Sequence, residues 1–291
     1  GDIESFIAKT AQQEDQTVAA LNNLNQYASD VISDPRYHRT SIRDIDIKTG
    51  RALSYFDCIS APCRDTCATN QDIPDYMHYT ATGQFDKAYE VILRTNPFPA
   101  ITGMVCDHLC QNKCTRINYD DPLLIREVKR FVSEKDEVKL QPETKNGKSV
   151  GIVGAGPAGL SAAYYLAMAG FDVEVFEQNS KAGGMVQFAI PGFRLTDEAI
   201  AKDFKRVTDL GVKIHYSTPV DKSKFEAIQS GFDYIFVGAG AQLSKPLKIE
   251  GIEAKGVVEP LQFLFSIKKG ESHGAGNNIV IIGGGNTAMD A

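Results

Sequence analysis

A strand, a glycine-rich turn and a helix follow one another from Ser149 to Ala169, and no other run limits the fold as tightly. The apolar stretch Ser149–Val153 reads as a strand and Gly159–Ala169 as an alanine-rich helix. Between them Gly154, Gly156 and Gly159 complete G-x-G-x-x-G, with Ala155, Pro157 and Ala158 in the intervening positions. The first glycine makes the tight turn, the second lets a pyrophosphate approach the backbone, and the third lets helix and strand pack closely. The helix N-terminus then offers free N–H groups and a positive dipole end to the phosphates. A second strand, Asp172–Phe176, runs into Glu177, 23 residues after Gly154, where a ribose-binding carboxylate is expected.

The alternation continues. Ala199–Leu210 reads as a helix, Lys213–His215 as a strand, and Tyr234–Val237 as a strand entering Gly238-Ala239-Gly240-Ala241. Asn278–Ile282 starts another strand–loop unit. This order predicts an α/β fold with a parallel sheet and helices packed on it. The glycine motif alone does not choose between FAD and NAD(P). A second glycine-rich loop at Gly283-Gly284-Gly285-Asn286-Thr287-Ala288 marks the start of a second nucleotide site. Two such sites in one chain suit a flavoprotein that receives hydride from a nicotinamide. The chain begins at Gly1 and stops at Ala291 inside this second unit, so a piece of a longer protein is expected.

All six cysteines lie upstream of the first glycine loop, in two clusters: Cys58, Cys63 and Cys67, then Cys106, Cys110 and Cys114. Helical patches at Ile73–Tyr79, Phe85–Leu93 and Leu123–Val132 surround them, with Pro97 and Pro99 ending the second and Pro122 just before the third. The polar stretch Asp136–Lys148 reads as a linker. The spacing favours ligation over buried hydrophobic cysteines, which would not fall into two triplets by chance. Zinc sites close with four ligands two to four residues apart, whereas iron–sulfur clusters take four thiolates in short runs; the spacing leans towards iron–sulfur. His108 inside the second triplet is either a zinc ligand or an ordinary hydrogen-bonding histidine.

With 43% hydrophobic and 23% charged residues, the 291-residue chain has an ordinary globular composition and room for two domains. Its net charge of -6 gives no electrostatic footprint for nucleic acid. No apolar run approaches the ~20 residues of a membrane span, and the sequence shows no charged-then-apolar stretch of the kind that directs secretion. A cytoplasmic location with neither membrane nor nucleic-acid partner is expected, and in that compartment disulfides are disfavoured. Lys268-Lys269 reads as a solvated face. Residues 1–33 carry an uneven helical stripe through Val18, Leu21, Leu24, Ala28, Val31 and Ile32, and Asp34–Thr49 reads as loop.

Several segments carry a family resemblance: Asp57-Cys58-Ile59-Ser60-Ala61-Pro62-Cys63-Arg64-Asp65-Thr66-Cys67, Thr102-Gly103-Met104-Val105-Cys106, Lys113-Cys114-Thr115-Arg116, Pro122-Leu123-Leu124-Ile125-Arg126-Glu127 and Ile190-Pro191-Gly192-Phe193-Arg194-Leu195. From residue 50 to 291 the chain resembles the small subunit of glutamate synthase and the N-terminal half of dihydropyrimidine dehydrogenase. Within that family it is most similar to the selenate reductase iron–sulfur/flavin subunit. A helical lead-in and loop is expected over 1–49, and the resemblance implies a helical [4Fe-4S] module over 50–145, a Rossmann-like FAD domain over 146–276 and the start of an NAD(P) domain over 277–291. It further implies that FAD contacts Gly154 to Gly159, Glu177, Gly184, Met185, Arg194, Val105 and Val220, and that Gly284, Gly285, Asn286 and Thr287 begin the NAD(P)H site. One cluster would use Cys58, Cys63 and Cys114, and the other Cys67, Cys106 and Cys110. Two departures stand out. A further family cysteine falls at Tyr55, and a Gln or Glu ligand of the family falls at Lys129, with Glu127 two residues off.

The expectation is an oxidoreductase subunit passing electrons from NAD(P)H through FAD to one or two [4Fe-4S] clusters and an electron-accepting partner subunit or domain. The flavin does the chemistry, so no protein side chain is assigned as catalytic. The alternative is a non-catalytic docking module with a zinc-bound or metal-free cysteine region and a structural nucleotide.

Overall fold

A computed structural model describes residues 23–30, 33–34, 61–135, 138–244, 247–271, 276 and 278–291. Cys58, Tyr55 and nearly all of the expected lead-in lie outside them; residues 23–30 are helical and exposed. The chain first builds a helical unit from α1 (Pro62–Thr66), α2 (Ile73–Ala81), α3 (Phe85–Thr95), α4 (Pro99–Val105) and α5 (Ile125–Lys135). Two short 3-10 turns, Gln111–Lys113 and Thr115–Asn118, link α4 to α5. Proline opens α1 and α4 and stands in the first turn of α2, where its missing N–H costs nothing. Pro99 therefore starts a helix of its own, four residues after α3 ends at Thr95. The third expected helix begins at Ile125, so Pro122 lies outside it. The faces of α2, α3 and α5 meet in one core that includes Ile73, Tyr76, Tyr89, Ile92, Ile125 and Val132, with Cys110 inside it and Cys63 and Cys67 packed against it.

The second unit alternates β1 (Ser149–Val153), α6 (Pro157–Met168), β2 (Asp172–Phe176), α7 (Met185–Phe188), α8 (Asp197–Asp209), β3 (Lys213–His215), α9 (Lys222–Gly231) and β4 (Tyr234–Val237). The strands pair in parallel in the order β3-β2-β1-β4, with Val150 opposite both Val173 and Tyr234. Alternation along β1 divides its two faces. Val150 and Ile152 enter a core with Leu160, Ala163 and Ala167 of α6. A Cβ on Gly151 would come 2.8 Å from Ile228 of α9, so that glycine lets α9 lie close on the other face. The strand order reverses at β1, with β2 on one side and β4 on the other. In open α/β sheets the crevice outside the strand ends at such a switch point is where ligands bind.

Helix α10 (Pro260–Lys269) and the short α11 (Asn286–Asp290) complete the described chain. The expected strand at 278–282 is not formed. Ile279, Val280, Ile281 and Ile282 are exposed, and no other strand among the described residues pairs with them, so the ladder lacks a second member. Lys268 is only partly solvated: it sits 3.6 Å from Asp197, with its side chain 14% exposed. Among the described residues no helix is long and apolar enough to cross a membrane.

Candidate functional site

The turn after β1 is shaped by steric necessity at two of its three glycines. Gly154 has φ +96, and a Cβ there would meet the Gly238 carbonyl oxygen at 2.6 Å. A Cβ on Gly159 would fall 1.9 Å from the Gly154 carbonyl oxygen, which no side chain could tolerate. Gly156 is different. Its Cβ would meet nothing within 4 Å, and Gly156, Pro157 and Ala158 line the start of α6 at the surface while Ala155 is buried. No protein atom requires glycine at 156, and the space beside it is open.

Glu177 closes the other side of this crevice. It is 4% exposed, and its Oε2 accepts from the Ala155 N–H at 2.8 Å. Its Oε1 accepts from the Asn179 backbone N–H at 2.8 Å and side-chain amide at 2.7 Å. The chain beyond it is tied back: Glu177 N–H donates to the His215 carbonyl and Thr218 N–H to the Glu177 carbonyl, which brings the half-buried Val220 to this end of the sheet. The Gly183 N–H donates to the Ala155 carbonyl at 2.7 Å. A Cβ on Gly184 (φ +51) would lie 3.1 Å from the Gly156 Cα, so Gly184 and Met185 border the crevice.

Val105, at the last position of α4, packs against the core of the second unit. Arg194 is ion-paired through its Nε with Asp290 of α11. Asp290 lies in the wall of a cleft of about 640 Å³ between the Pro191–Thr196 turn, α10 and α11, lined in part by Phe193, Phe263 and Ile267. Gly284, Gly285, Asn286 and Thr287 are exposed and lead into and open α11.

The cysteines surround the first unit's core. Cys63 lies in the first turn of α1 and Cys67 just past its end, Cys106 follows α4, and Cys110 and Cys114 flank the first 3-10 turn. The five described thiols are unpaired. Burial pushes the Cys63 thiol up, with Cys114 and Cys67 adding to it. Burial likewise pushes Cys110 up to about 11, with Cys106 and Cys67 as its main thiol neighbours. Burial raises the Tyr76 phenol too, reinforced by Cys110, Cys67, Cys63 and Cys106. Two sulfurs have donors nearby: the His108 N–H lies 3.4 Å from Cys106 Sγ, and the Thr69 hydroxyl 3.4 Å from Cys67 Sγ. The His108 ring lies with Nδ1 3.2 Å from the Cys106 carbonyl.

Lys129 stands among these thiols. It is 5% exposed and shares the inner stripe of α5 with Ile125 and Val132. Burial pushes its amine below the ordinary lysine value, while Cys106, Cys67 and Cys110 pull the other way. Glu127 is turned elsewhere, paired with Arg126 at 2.8 Å, which holds its carboxyl down against the burial that raises it. Among the described residues no three His, Cys, Asp or Glu side chains converge closely enough for a single metal ion. Thiolates on one zinc would have to approach within about 4 Å of each other, whereas a multi-iron cluster holds its ligands further apart.

The molecule is thus a helical cysteine domain joined to a Rossmann-like nucleotide domain. Residues 41–140 match the family model described as dihydropyrimidine dehydrogenase domain II, 4Fe-4S cluster, and residues 152–220 match the NAD(P)-binding Rossmann-like domain. The YgfK oxidoreductase of Escherichia coli (strain K12) is 37% identical over 93% of this chain and 27% of its own length. The NADPH-Fe(3+) oxidoreductase subunit beta of Geobacter sulfurreducens is 33% identical over 94% of this chain and 41% of its own. The glutamate synthase [NADPH] small chain of Azospirillum brasilense is 30% identical over 78% of this chain and 52% of its own. Over most of its length this chain is therefore similar to a group of oxidoreductase chains that includes the glutamate synthase small chain and the NADPH-Fe(3+) oxidoreductase β subunit, with a 4Fe-4S domain match at its N-terminal end. It spans about half or less of the length of these curated relatives. The pairing of a 4Fe-4S domain with a NAD(P)-binding domain supports electron transfer.

Proposed function

We propose that this chain is the flavin and iron–sulfur part of an NAD(P)H-dependent oxidoreductase, passing electrons from FAD on the first glycine loop through iron–sulfur centres to a partner subunit or domain. The observation that carries the flavin assignment is an open Gly156 facing a buried Glu177. The first admits a pyrophosphate to the backbone, and the second suits ribose hydroxyls. A carboxylate at the end of β2 repels the 2′-phosphate of NADPH, the nucleotide in the names of two relatives. The adenosine ribose of FAD carries free hydroxyls and escapes that penalty. NADPH then belongs at the second loop, Gly284 to Thr287.

The roles of the chain's own groups follow from their places. The first-turn amides of α6 orient the pyrophosphate. Glu177, already anchored on Ala155 and Asn179, receives the ribose, while Gly184, Met185, Val105 and Val220 wall the crevice against water. Arg194, held by Asp290, keeps other guanidinium donors for flavin or phosphate charge. Flavin, when bound, supplies the exchange between two-electron and one-electron chemistry. Cys67, Cys106 and Cys110 would hold one cluster beside Lys129, and Cys63 and Cys114 with Cys58 another. The N–H of His108 and the hydroxyl of Thr69 would tune the sulfurs. The match of residues 41–140 to a 4Fe-4S domain favours this reading over a zinc-filled docking module.

Titration of the anaerobically reconstituted chain with FAD and with NADPH, together with iron and acid-labile sulfide analysis, tests the reading. One FAD per chain, no competition from NADPH, and iron with equimolar sulfide are expected. Stoichiometric zinc, or NADPH displacing FAD at the first loop, would overturn it.

A further inference from the structure

Helix α8 packs Ile200 and Val207 into the nucleotide-domain core, yet its buried Asp203 serves the cysteine domain. Asp203 is 0% exposed, and its Oδ2 accepts from the Ile101 N–H at 2.8 Å while Oδ1 accepts from the Ala100 N–H at 3.3 Å. These are first-turn amides of α4, and the residue at the head of that helix, Phe98, supplies no side-chain cap. Orphan amides at a helix start need an acceptor. Here it comes from another domain, 102 residues along the chain. Arg206, one turn further along α8, donates through Nη1 to Asp203 at 3.0 Å and to the Pro97 carbonyl at 2.9 Å, and through Nη2 to the Tyr89 hydroxyl. Phe204 packs edge-on to Phe98, and Lys202 donates to the Ser133 carbonyl at 2.5 Å.

The other end of α4 is where both proposed sites meet. Val105 packs on the nucleotide-domain core, and Cys106 follows directly, its carbonyl accepting from Arg126 at 3.1 Å. A helix of seven residues is too short to persist unaided. It is a rod of about 10 Å whose placement is decided by its ends. Burial pushes the Asp203 carboxyl up, and Arg206 with the α4 amides opposes that shift.

We propose that Asp203, braced by Arg206, is a positioning residue: it sets α4 between the glycine loop and the cysteines and so fixes the spacing across which electrons leave the nucleotide site. Only the electron-transfer clause rests on the assignment of FAD and iron–sulfur above; the hold of Asp203 on α4 does not.

The test is Asp203→Asn in the anaerobically reconstituted chain, followed by amide hydrogen exchange, flavin and iron content, and the paramagnetic resonance spectrum of the reduced iron centre. Cofactor content should stay unchanged, α4 amides 100–105 should exchange about tenfold faster relative to those of α6, and the resonance line shape should change. Unchanged α4 exchange, or an equal rise in every element, would overturn the proposal, as would faster α4 exchange with an unaltered spectrum. If the single substitution leaves Arg206 without a counter-charge and the protein does not fold, the double variant Asp203→Asn with Arg206→Met removes both charges and is read by the same criteria. A wild-type chain with no bound flavin or iron would refute the cofactor reading, and the exchange measurement would still decide whether Asp203 holds α4.

Discussion

Glu177 keeps all three of its hydrogen bonds within the protein, so its position is set before a nucleotide arrives. Replacing it with glutamine preserves shape but leaves one acceptor where two oxygens served. The amide nitrogen must then face either the Ala155 N–H or the Asn179 donors, and an unsatisfied buried donor costs about 1–3 kcal/mol. Glu177→Gln should lower stability by that amount in urea unfolding and weaken FAD about tenfold or more, a loss of about 1.4 kcal/mol. Undiminished FAD affinity would remove Glu177 from the ribose site. Lys129 makes the opposite case, a cation buried among thiols. A positive charge beside an iron–sulfur centre stabilises its reduced form, since net charge helps set the potential. Lys129→Met should therefore lower the potential of the centre at Cys67, Cys106 and Cys110, by about 60 mV for each 1.4 kcal/mol of lost interaction in a one-electron couple. A redox titration showing no change would mean that the amine carries no charge there or lies too far away.

The three glycines of the first loop should respond differently although the motif treats them alike. Gly159→Ala puts a methyl 1.9 Å from a carbonyl oxygen and should cost about 1–3 kcal/mol or more of stability. Gly156→Ala meets open space, so its melting temperature should match wild type while FAD binding is lost; retained binding would mean that the pyrophosphate lies elsewhere. The distinction was not legible in the sequence, because G-x-G-x-x-G states where glycines stand and not what each would collide with. Other elements were legible to the residue. All four strands of the sheet have the expected limits, because short apolar runs between helices have few alternatives. Helix starts were less so: α8 begins at Asp197, two residues before the apolar stripe, because Thr196 Oγ1 caps the Ala199 N–H at 3.3 Å. The apolar run 278–282 reads as a strand but has no neighbour to pair with among the described residues. Lys129 was marked out only by the resemblance, as the position of a family Gln or Glu ligand, whereas Asp203 resembled any helical aspartate, since its partners lie about a hundred residues away.

Between domains of one chain, relative motion is the ordinary expectation unless the interface is large and apolar. Here the boundary disappears at the level of the core. Phe98 and Ile101 of the cysteine domain lie inside the nucleotide-domain cluster, and Leu140, in the stretch that joins the domains, packs against both cores. The Tyr164 hydroxyl of α6 reaches the Leu93 carbonyl of α3, and α8 adds Asp203, Arg206 and Lys202 across the same seam. Neither unit could open without stripping apolar surface and buried charge from the other, so the two should unfold as one cooperative body. Ligand linkage gives this a sharp consequence. FAD at a hundred times its dissociation constant stabilises whatever unfolds with its site by about 2.7 kcal/mol. If the domains are one unit, that increment must also be read at the cysteine end, as a higher urea midpoint for loss of the iron–sulfur absorption, matched by the backbone signal. If α4 and its seam are only a loose contact, FAD will raise the midpoint of the sheet and leave the iron signal where it was. Weakening the seam by Asp203→Asn with Arg206→Met should then reduce the FAD-dependent shift read at the cysteine end, because α8 carries part of the route by which nucleotide binding reaches the cysteines.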